Sequence, residues 1–153
     1  MDKVHTLSNL GELDVVYKYK SSLNDRPMIR SPNDVIDVLK QLYITDKLGL
    51  QEQMIVLYLN RQNIVIGSSN MFQGAHSAMV LDLRIILGGA LKLMASNIII
   101  SHNHPSGCLK PSKEDKALTS KLTQAAALLD IVLLDHLIVT PDFRFASVNE
   151  EDQ

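Results

Sequence analysis

Two histidines at alternate positions open the segment with the clearest potential for chemistry. His102 and His104 belong to SHNHPSGCLKPSKED, residues 101–115, which follows the apolar run NIIIS. Side chains alternate faces along an extended chain, so the two imidazoles should point to the same side. Imidazole nitrogen binds zinc with a bond of about 2.0–2.1 Å, and two such ligands need a third to hold the ion. The spacing therefore indicates a candidate metal site just beyond the end of a strand.

Asp115 is the candidate third ligand, because it lies one turn into the next helix and its carboxylate can turn back toward the loop. Three protein ligands leave the fourth tetrahedral position to water, which is typical of catalytic zinc, and zinc lowers the pKa of that water to about 7. A second interpretation stays open at this point. Ser112 and Asp115 form an S-x-x-D pattern, and N-capping together with the helix dipole explains such a pattern without a metal.

The elements that must position these residues follow from hydrophobic periodicity and turn signals. Downstream, the pattern predicts a strand at 97–101, a loop at 102–111, a helix at 112–129 and strands at 131–140 and 143–147. Upstream, it predicts a strand at 13–19, a helix that begins at Ser31 and is apolar at Val35, Val38, Leu39 and Leu42, strands at 54–59 and 64–66, a loop at 67–79 and a helix at 81–95. Helices interleaved with strands predict an α/β domain with a mixed β-sheet covered by helices.

Composition places the chain among soluble globular proteins. It has 153 residues, of which 46% are hydrophobic and 21% charged, and a single cysteine that cannot form an internal disulfide. No secretory signal and no apolar run long enough to span a bilayer is found, so we expect a cytoplasmic protein with no membrane partner. The net charge of −2 lacks the basic character that duplex DNA usually requires. The sequence carries no signal for oligomeric state.

Two other positions near the metal segment allow more than one interpretation. Cys108 lies in the loop and could add a fourth ligand, which would make the site structural, although we favour no such role. Asp135 and His136 lie in the predicted strand LLDHLIV. They could orient a metal ligand by hydrogen bonding, or they could form a buried structural pair, and we slightly favour the structural pair.

The composite pattern His-x-His-x7-Ser-x2-Asp, formed by His102, His104, Ser112 and Asp115, resembles the signature of the MPN/JAMM (JAB-type) metalloproteases. HNHPSG, KPSKEDKALT and LLDIVLLDHLIVT resemble the RadC branch of that family, and the similarity runs from about residue 30 to residue 148. The resemblance implies a three-layer, cytidine-deaminase-like MPN/JAMM domain at 31–150, preceded by an N-terminal extension with a strand at 1–30.

The resemblance also implies a role for five residues. His102, His104 and Asp115 match the zinc ligands of the family. Ser112 matches the serine that hydrogen-bonds the tetrahedral intermediate. Glu52 matches the upstream glutamate that serves as general base and acid, a role that no spacing in this sequence indicates.

The implied activity is that of a zinc-dependent metallopeptidase or isopeptidase acting on a peptide or protein substrate. The first alternative is a DNA-associated protein or nuclease in repair or recombination, which is how RadC proteins are commonly labelled. The charge balance argues against it, and the residues before Ser31 are too few for the helix-hairpin-helix region of many longer relatives. The second alternative is a non-catalytic module in which zinc stabilises a binding surface.

Overall fold

The structure is a computed structural model that describes residues 21–72 and 82–149. Three helices and five strands form its framework. The helices are α1 (Pro32–Leu42), α2 (Leu83–Lys92) and α3 (Lys113–Ala127), and the strands are β1 (Gln53–Leu59), β2 (Val65–Phe72), β3 (Asn97–Asn103), β4 (Val132–Val139) and β5 (Phe145–Ser147). Over these two ranges, no helix combines the length and the apolar character needed to cross a membrane.

The five strands form one mixed sheet in the order β2-β1-β3-β4-β5. Strand β1 pairs antiparallel with both β2 and β3, β3 pairs parallel with β4, and β4 pairs antiparallel with β5. Helix α3 provides the crossover that two parallel neighbouring strands require. The predicted α/β class with a mixed sheet covered by helices is confirmed.

Helices cover both faces of this sheet and create two hydrophobic cores. Alternate residues of β1 belong to different cores, because successive side chains of a strand point to opposite faces. Ile55 and Leu57 pack with α1 in one core, whereas Val56 and Tyr58 pack with α2 and α3 in the other. Every residue of β1 is buried as a result. The architecture is therefore helix, sheet, helix, in three layers.

Helix α1 forms as its sequence predicts. Ser31 caps it in a capping box with Asp34, and Pro32 occupies the first helical position. Val35 and Leu39, at helical spacing, are buried against the sheet. Each such side chain contributes about 1.5–3 kcal/mol by leaving water, so this apolar face accounts for the position of the helix.

Two strands extend beyond their predicted ends. The loop prediction is wrong over residues 67–72, because β2 continues to Phe72 and this part pairs in regular antiparallel register with β1. Glycine and serine in this stretch have low intrinsic strand preference, and pairing with a fully buried neighbour overrides it. Strand β3 continues through Asn103, so His102 lies inside the sheet instead of beyond it. The predicted strand at 13–19 and the rest of the predicted loop lie outside the described residues.

Candidate metal centre

The end of β3 and the first turn of α3 bring His102, His104 and Asp115 together, as the spacing predicts. The Nε2 atoms of the two histidines are 2.9 Å apart. Asp115 places Oδ1 at 3.1 Å from His102 Nε2 and Oδ2 at 3.3 Å from His104 Nε2. Two imidazoles and one carboxylate thus direct three ligand atoms at a common point. Among the residues that the structure describes, these three form the group of His, Cys, Asp and Glu that could hold a metal ion.

The sheet gives His102 its fixed position. It lies in the central strand β3, paired with Met54 of β1 on one side and Ile138 of β4 on the other, and it is only 2% exposed. His104 follows where β3 ends, held by a backbone hydrogen bond from its N–H to the Val139 carbonyl at 2.9 Å. The chain then turns sharply, since the Gly107 N–H donates to the His104 carbonyl at 3.0 Å.

The far nitrogen of the His104 ring shows which nitrogen is available to a metal. His104 Nδ1 lies 2.7 Å from the carbonyl oxygen of Cys108. A carbonyl oxygen only accepts hydrogen bonds, so Nδ1 carries the proton and donates. In the neutral ring, Nε2 then bears the lone pair that faces Asp115 and His102. Cys108 therefore contributes its backbone carbonyl to the site, while its exposed thiol lies outside the ligand group.

The proximity of these groups shifts the pKa values of His104 and Asp115. A hydrogen bond with Asp115 raises the pKa of His104 above its usual value, against the opposing effect of burial, and Glu52 adds a smaller contribution in the same direction. Burial by itself would raise the pKa of Asp115, but interactions with the His102 and His104 imidazoles in their protonated forms outweigh it and hold that pKa far below its usual range. The cluster therefore favours an added positive charge, which a proton or a metal ion can supply.

The donor set and its spacing fit a small divalent cation. A tetrahedral ion with bonds of about 2.0–2.1 Å separates its ligand atoms by about 3.3 Å. Here the two Nε2 atoms are 2.9 Å apart, and one ligand atom from each of the three residues lies within 4.8 Å of the others. Imidazole and carboxylate suit zinc and related transition ions. His102, His104 and Asp115 therefore form a group that could hold a metal ion.

Ser112 and Asp115 also form the capping box that their S-x-x-D spacing predicts. Ser112 Oγ accepts from the Asp115 N–H at 3.0 Å, and Asp115 Oδ2 accepts from the Ser112 N–H at 2.8 Å. The capping and the metal interpretations of Asp115 are thus compatible, because one carboxylate serves the helix terminus and faces both histidines. Since the Ser112 oxygen accepts the backbone hydrogen bond, its hydroxyl proton stays available for donation.

Glu52 lies beside this cluster although it is remote in sequence. The β1–β3 register pairs Met54 with His102, so its continuation places Glu52 across from His104. The influence of Glu52 on the pKa of His104 reflects this proximity. Glu52 is partly buried and immediately precedes β1.

Asn103 fixes the backbone on both sides of Glu52. Its Oδ1 accepts from the Gln53 N–H at 2.6 Å, and its Nδ2 donates to the carbonyls of Gln51 at 2.9 Å and Leu48 at 2.8 Å. Asn103 is completely buried, on the sheet face opposite to the histidines that flank it. The strand that carries the histidines therefore also holds the segment that carries Glu52.

His136 contacts the cluster directly, in contrast to the structural pairing favoured from the sequence. Its Nε2 lies 2.7 Å from His102 Nδ1, and its Nδ1 lies 2.6 Å from Thr119 Oγ1 of α3. Burial, followed by the nearby charge of His102, lowers the pKa of His136 to about 3. The Asp135 carboxylate instead accepts from the His136 backbone N–H and the Ser147 hydroxyl. The alternative interpretation, a hydrogen bond that orients a ligand, describes His136.

The sequence analysis identified neither Thr119 nor Asn103 as a residue that supports the site. No local pattern could have found either contact, because both depend on elements distant in the chain. The position of His136 depends on the parallel pairing of β3 and β4, which is displaced by one residue after Ile98. That irregularity gives His136 the same face as His102.

Comparison with known proteins identifies relatives of this chain. Residues 29–153, well over half of the chain, match the family described as RadC-like JAB domain. The UPF0758 protein of Shouchella clausii is 41% identical over 126 residues, which cover 82% of this chain and 53% of the relative. Those of Staphylococcus haemolyticus and Streptococcus gordonii are 37% identical over 135 residues and 42% identical over 102 residues, covering 57% and 45% of the relatives.

This chain thus spans about half the length of these curated relatives. The matched region contains β1, the two histidines and the first turn of α3, which are the parts that build the cluster. The resemblance inferred from the sequence motif is confirmed, and the chain belongs to the RadC-like JAB-domain family.

Proposed function

We propose that this protein is a zinc-dependent hydrolase that cleaves peptide or isopeptide bonds. One observation carries the proposal: two imidazole nitrogens and a carboxylate converge, with contacts of 2.9 to 3.3 Å between them. Such a cluster stabilises an added positive charge, and the neutral imidazoles offer lone pairs that a metal ion can bind. His102, His104 and Asp115 would hold the zinc ion, which supplies Lewis-acid activation of water and of a carbonyl group.

The site supports catalysis better than a purely structural metal. Structural zinc usually has four protein ligands, whereas three protein ligands are typical of catalytic zinc. Three gather here, and the thiol of Cys108 lies outside the group. The side chains of His104 and Asp115 each retain 15% exposure, so a substrate can approach from their side. His102, at 3% side-chain exposure, forms the closed inner wall.

Glu52 is the proposed general base and acid. The strand register, continued from Met54 and His102, and the effect of Glu52 on the pKa of His104 support this role, in which its carboxylate would lie beside the water to be activated. It would accept a proton from the attacking water and later deliver that proton to the leaving amine. Asn103 would keep this carboxylate at a constant distance from the histidines, because it binds the backbone before and after Glu52.

Ser112 is the proposed donor to the substrate oxygen. Its hydroxyl lies at the N-terminus of α3, where backbone N–H groups and the helix dipole already favour negative charge. The Ser112 proton would hydrogen-bond the oxyanion that develops when the carbonyl carbon becomes tetrahedral. The same residue would thus cap the helix in the resting protein and assist the reaction.

The decisive test is a peptide-library cleavage assay on zinc-loaded protein, with Glu52→Gln as the key variant. We expect cleavage by the wild type, and a loss of about 100-fold or more in Glu52→Gln, because general acid–base catalysis typically contributes 10²–10⁴-fold. Zinc content should be unchanged in that variant. Glu114→Gln is the matched control, since Glu114 is an exposed acid in the first turn of α3, next to Asp115 in sequence.

Three results would contradict the proposal. A wild type that binds zinc but cleaves no peptide would favour the non-catalytic module. Equal cleavage by wild type and Glu52→Gln would remove Glu52 from the mechanism. Binding or cleavage of DNA with a steep salt dependence, without peptide cleavage, would favour the nucleic-acid alternative.

A further inference from the structure

His102 belongs to a closed ring of polar contacts that also includes Asp115, Thr119 and His136. Thr119 Oγ1 donates to the backbone carbonyl of Asp115 at 2.8 Å, and His136 Nδ1 lies 2.6 Å from the same hydroxyl. His136 Nε2 lies 2.7 Å from His102 Nδ1, and His102 Nε2 lies 3.1 Å from the Asp115 carboxylate. Asp115 therefore closes the ring with its carbonyl at one end and its carboxylate at the other.

The donor and the acceptor of each hydrogen bond in this ring follow from the protons that each group carries. A serine or threonine hydroxyl has one proton to donate and two lone pairs that accept. Thr119 uses its proton on the Asp115 carbonyl, which has none to offer in return. Thr119 Oγ1 must therefore accept the contact with His136, so His136 Nδ1 carries a proton and donates it.

The same reasoning continues through the next ring. His136 is completely buried, and its two ring nitrogens contact a hydroxyl and an imidazole. A buried charge without a counterion is strongly unfavourable, so the ring is neutral. With Nδ1 protonated, Nε2 of His136 has to accept. His102 Nδ1 then donates, and in the neutral His102 ring Nε2 keeps the lone pair that faces His104 and Asp115.

We infer that Thr119 and His136 are positioning residues that fix His102 in the tautomer protonated on Nδ1, with Nε2 ready to bind the metal. This inference rests on the proposed metal site. Partners of this kind, which fix the orientation and tautomer of a ligand histidine, typically alter metal affinity by about 10- to 100-fold when removed. A reversed relay, with Thr119 donating to His136, would protonate His102 Nε2 and prevent coordination.

The tautomer can be measured without any variant. Protein labelled with ¹⁵N at histidine, kept free of metal, gives two-bond ¹H–¹⁵N correlations that distinguish the two neutral tautomers of each ring. We expect His102 and His136 both to be protonated on Nδ1. Protonation of His102 on Nε2 would overturn the inference. Absence of zinc binding would refute the proposed function alone, because the tautomer in the metal-free protein still decides this inference.

A pair of threonine variants tests the relay in the full chain. Thr119→Val removes the hydroxyl and keeps the shape of the side chain, and Thr119→Ser keeps the hydroxyl. Thr123 provides a matched control, since its Oγ1 donates to the Thr119 carbonyl at 2.7 Å in the same manner, one turn further along α3. Thr123→Val thus removes an equivalent hydrogen bond that is not part of the ring.

Zinc affinity, measured by competition with a chromophoric chelator, is the readout. Thr119→Val should bind zinc about 10- to 100-fold more weakly, while Thr119→Ser and Thr123→Val should remain close to the wild type. Thr119→Val also leaves the buried His136 N–H unpaired and should lose more folding stability than Thr123→Val, so each affinity is measured on protein that circular dichroism shows to be fully folded. Equal zinc affinity in Thr119→Val and Thr123→Val would overturn the relay.

Discussion

Helices α1 and α3 begin with the same local structure but face different surroundings. Ser31 and Asp34 form the capping box of α1, and Ser112 and Asp115 form that of α3. In each, the aspartate accepts from the serine N–H at 2.8 Å. In each, the serine oxygen accepts from the aspartate N–H, at 3.4 Å in α1 and 3.0 Å in α3. As helix caps the two are equivalent.

The remaining contacts of the two carboxylates separate them. Asp34 accepts from the backbone N–H of Arg30 at 2.8 Å, so its contacts stay within the local chain. Asp115 faces His102 and His104, which arrive from β3. The pKa of Asp34 is lowered, first of all by the hydrogen bond from the Arg30 backbone N–H. The pKa of Asp115 is lowered, against the opposing effect of burial, by its contacts with the two histidines.

This difference shows what gives a capping residue a second role. The S-x-x-D pattern specifies a helix start, and it does so equally well at both places. A candidate ligand arises only where a strand end delivers other donors to the free side of the carboxylate. Matched substitutions in the two capping boxes can therefore separate the metal site from the helix cap.

The largest expected difference concerns Asp115→Asn and Asp34→Asn. Asparagine keeps an oxygen that accepts from the serine N–H, so both caps should survive. Zinc affinity should fall by more than about 100-fold in Asp115→Asn, because loss of a direct ligand exceeds the 10–100-fold typical of outer partners. Asp34→Asn should bind zinc as the wild type does. Zinc binding by Asp115→Asn at wild-type strength would exclude Asp115 as a ligand.

The next effect is the stabilisation that zinc provides. At a free zinc concentration about 100 times the Kd, binding should stabilise the folded protein by about 2.7 kcal/mol. For a domain of this size, that free energy corresponds to a rise in Tm of about 5–10 °C, measured by calorimetry. The rise should occur in the wild type and in Asp34→Asn, and it should be absent in Asp115→Asn.

Removal of metal should leave the domain folded. Both hydrophobic cores and both capping boxes form without a bound metal ion, and Asp115 already accepts from the Ser112 N–H in its absence. Far-ultraviolet circular dichroism in EDTA should therefore match that of the zinc-loaded protein. Loss of helical signal on chelation would instead indicate a structural zinc, as in domains that fold only around their metal.

The sequence predicts some residues of the candidate site much better than others. His102, His104 and Asp115 are close in sequence, and the strand period with the helix start suffices to bring them together. Glu52, Thr119 and His136 are different. Each reaches the site through strand pairing or a crossover helix, and no local rule reports which strands become neighbours. Family resemblance identified Glu52, the sequence offered His136 as one of two alternatives, and only the structure revealed Thr119.

The same distinction explains the fold predictions. Helix α1 is predicted well because its cap, proline and apolar face are all encoded locally. Strand β2 is predicted poorly, because its segment GSSNMF contains residues that are typical of turns. Its extended form depends on pairing with β1. The end of β3 was predicted two residues early for a related reason. His102 and Asn103 are polar, yet both are buried by neighbours on either side of the strand.

Loss of the capping serines should have smaller and equal effects. Ser31→Ala and Ser112→Ala should each reduce the free energy of unfolding by about 1 kcal/mol, the usual effect of removing an N-cap hydroxyl. Urea denaturation in EDTA is the appropriate measurement, because metal binding then plays no part. A much larger loss in Ser112→Ala would show that this cap also supports the cluster itself. Peptide cleavage, by contrast, should decrease only in Ser112→Ala.

The smallest effect is a pH dependence whose sign should reverse with metal. In EDTA, the raised pKa of His104 means that the folded state binds more protons than the unfolded state above pH about 6.5. Stability conferred by the His104–Asp115 pair is therefore complete below that pH and decreases as pH rises through the folded-state pKa. The pKa of His136 is lowered to about 3, so this residue affects stability only between that pH and about 6.5. Over that interval its contribution makes stability rise with pH, which is opposite in sign to the effect of His104.

With zinc present, stability should rise with pH over this same interval, since the metal binds only the deprotonated imidazoles. Urea unfolding from pH 6.5 to 8, with zinc and with EDTA, measures both slopes. Asp34→Asn should retain the change of sign that zinc causes in the pH dependence of stability. The pKa of Asp34 is lowered from its usual value of about 3.9, so this carboxyl does not titrate between pH 6.5 and 8. In Asp115→Asn the slope in EDTA should shrink, since His104 loses the carboxylate that raises its pKa. Slopes of the same sign in both conditions would mean that proton and zinc do not compete for one site.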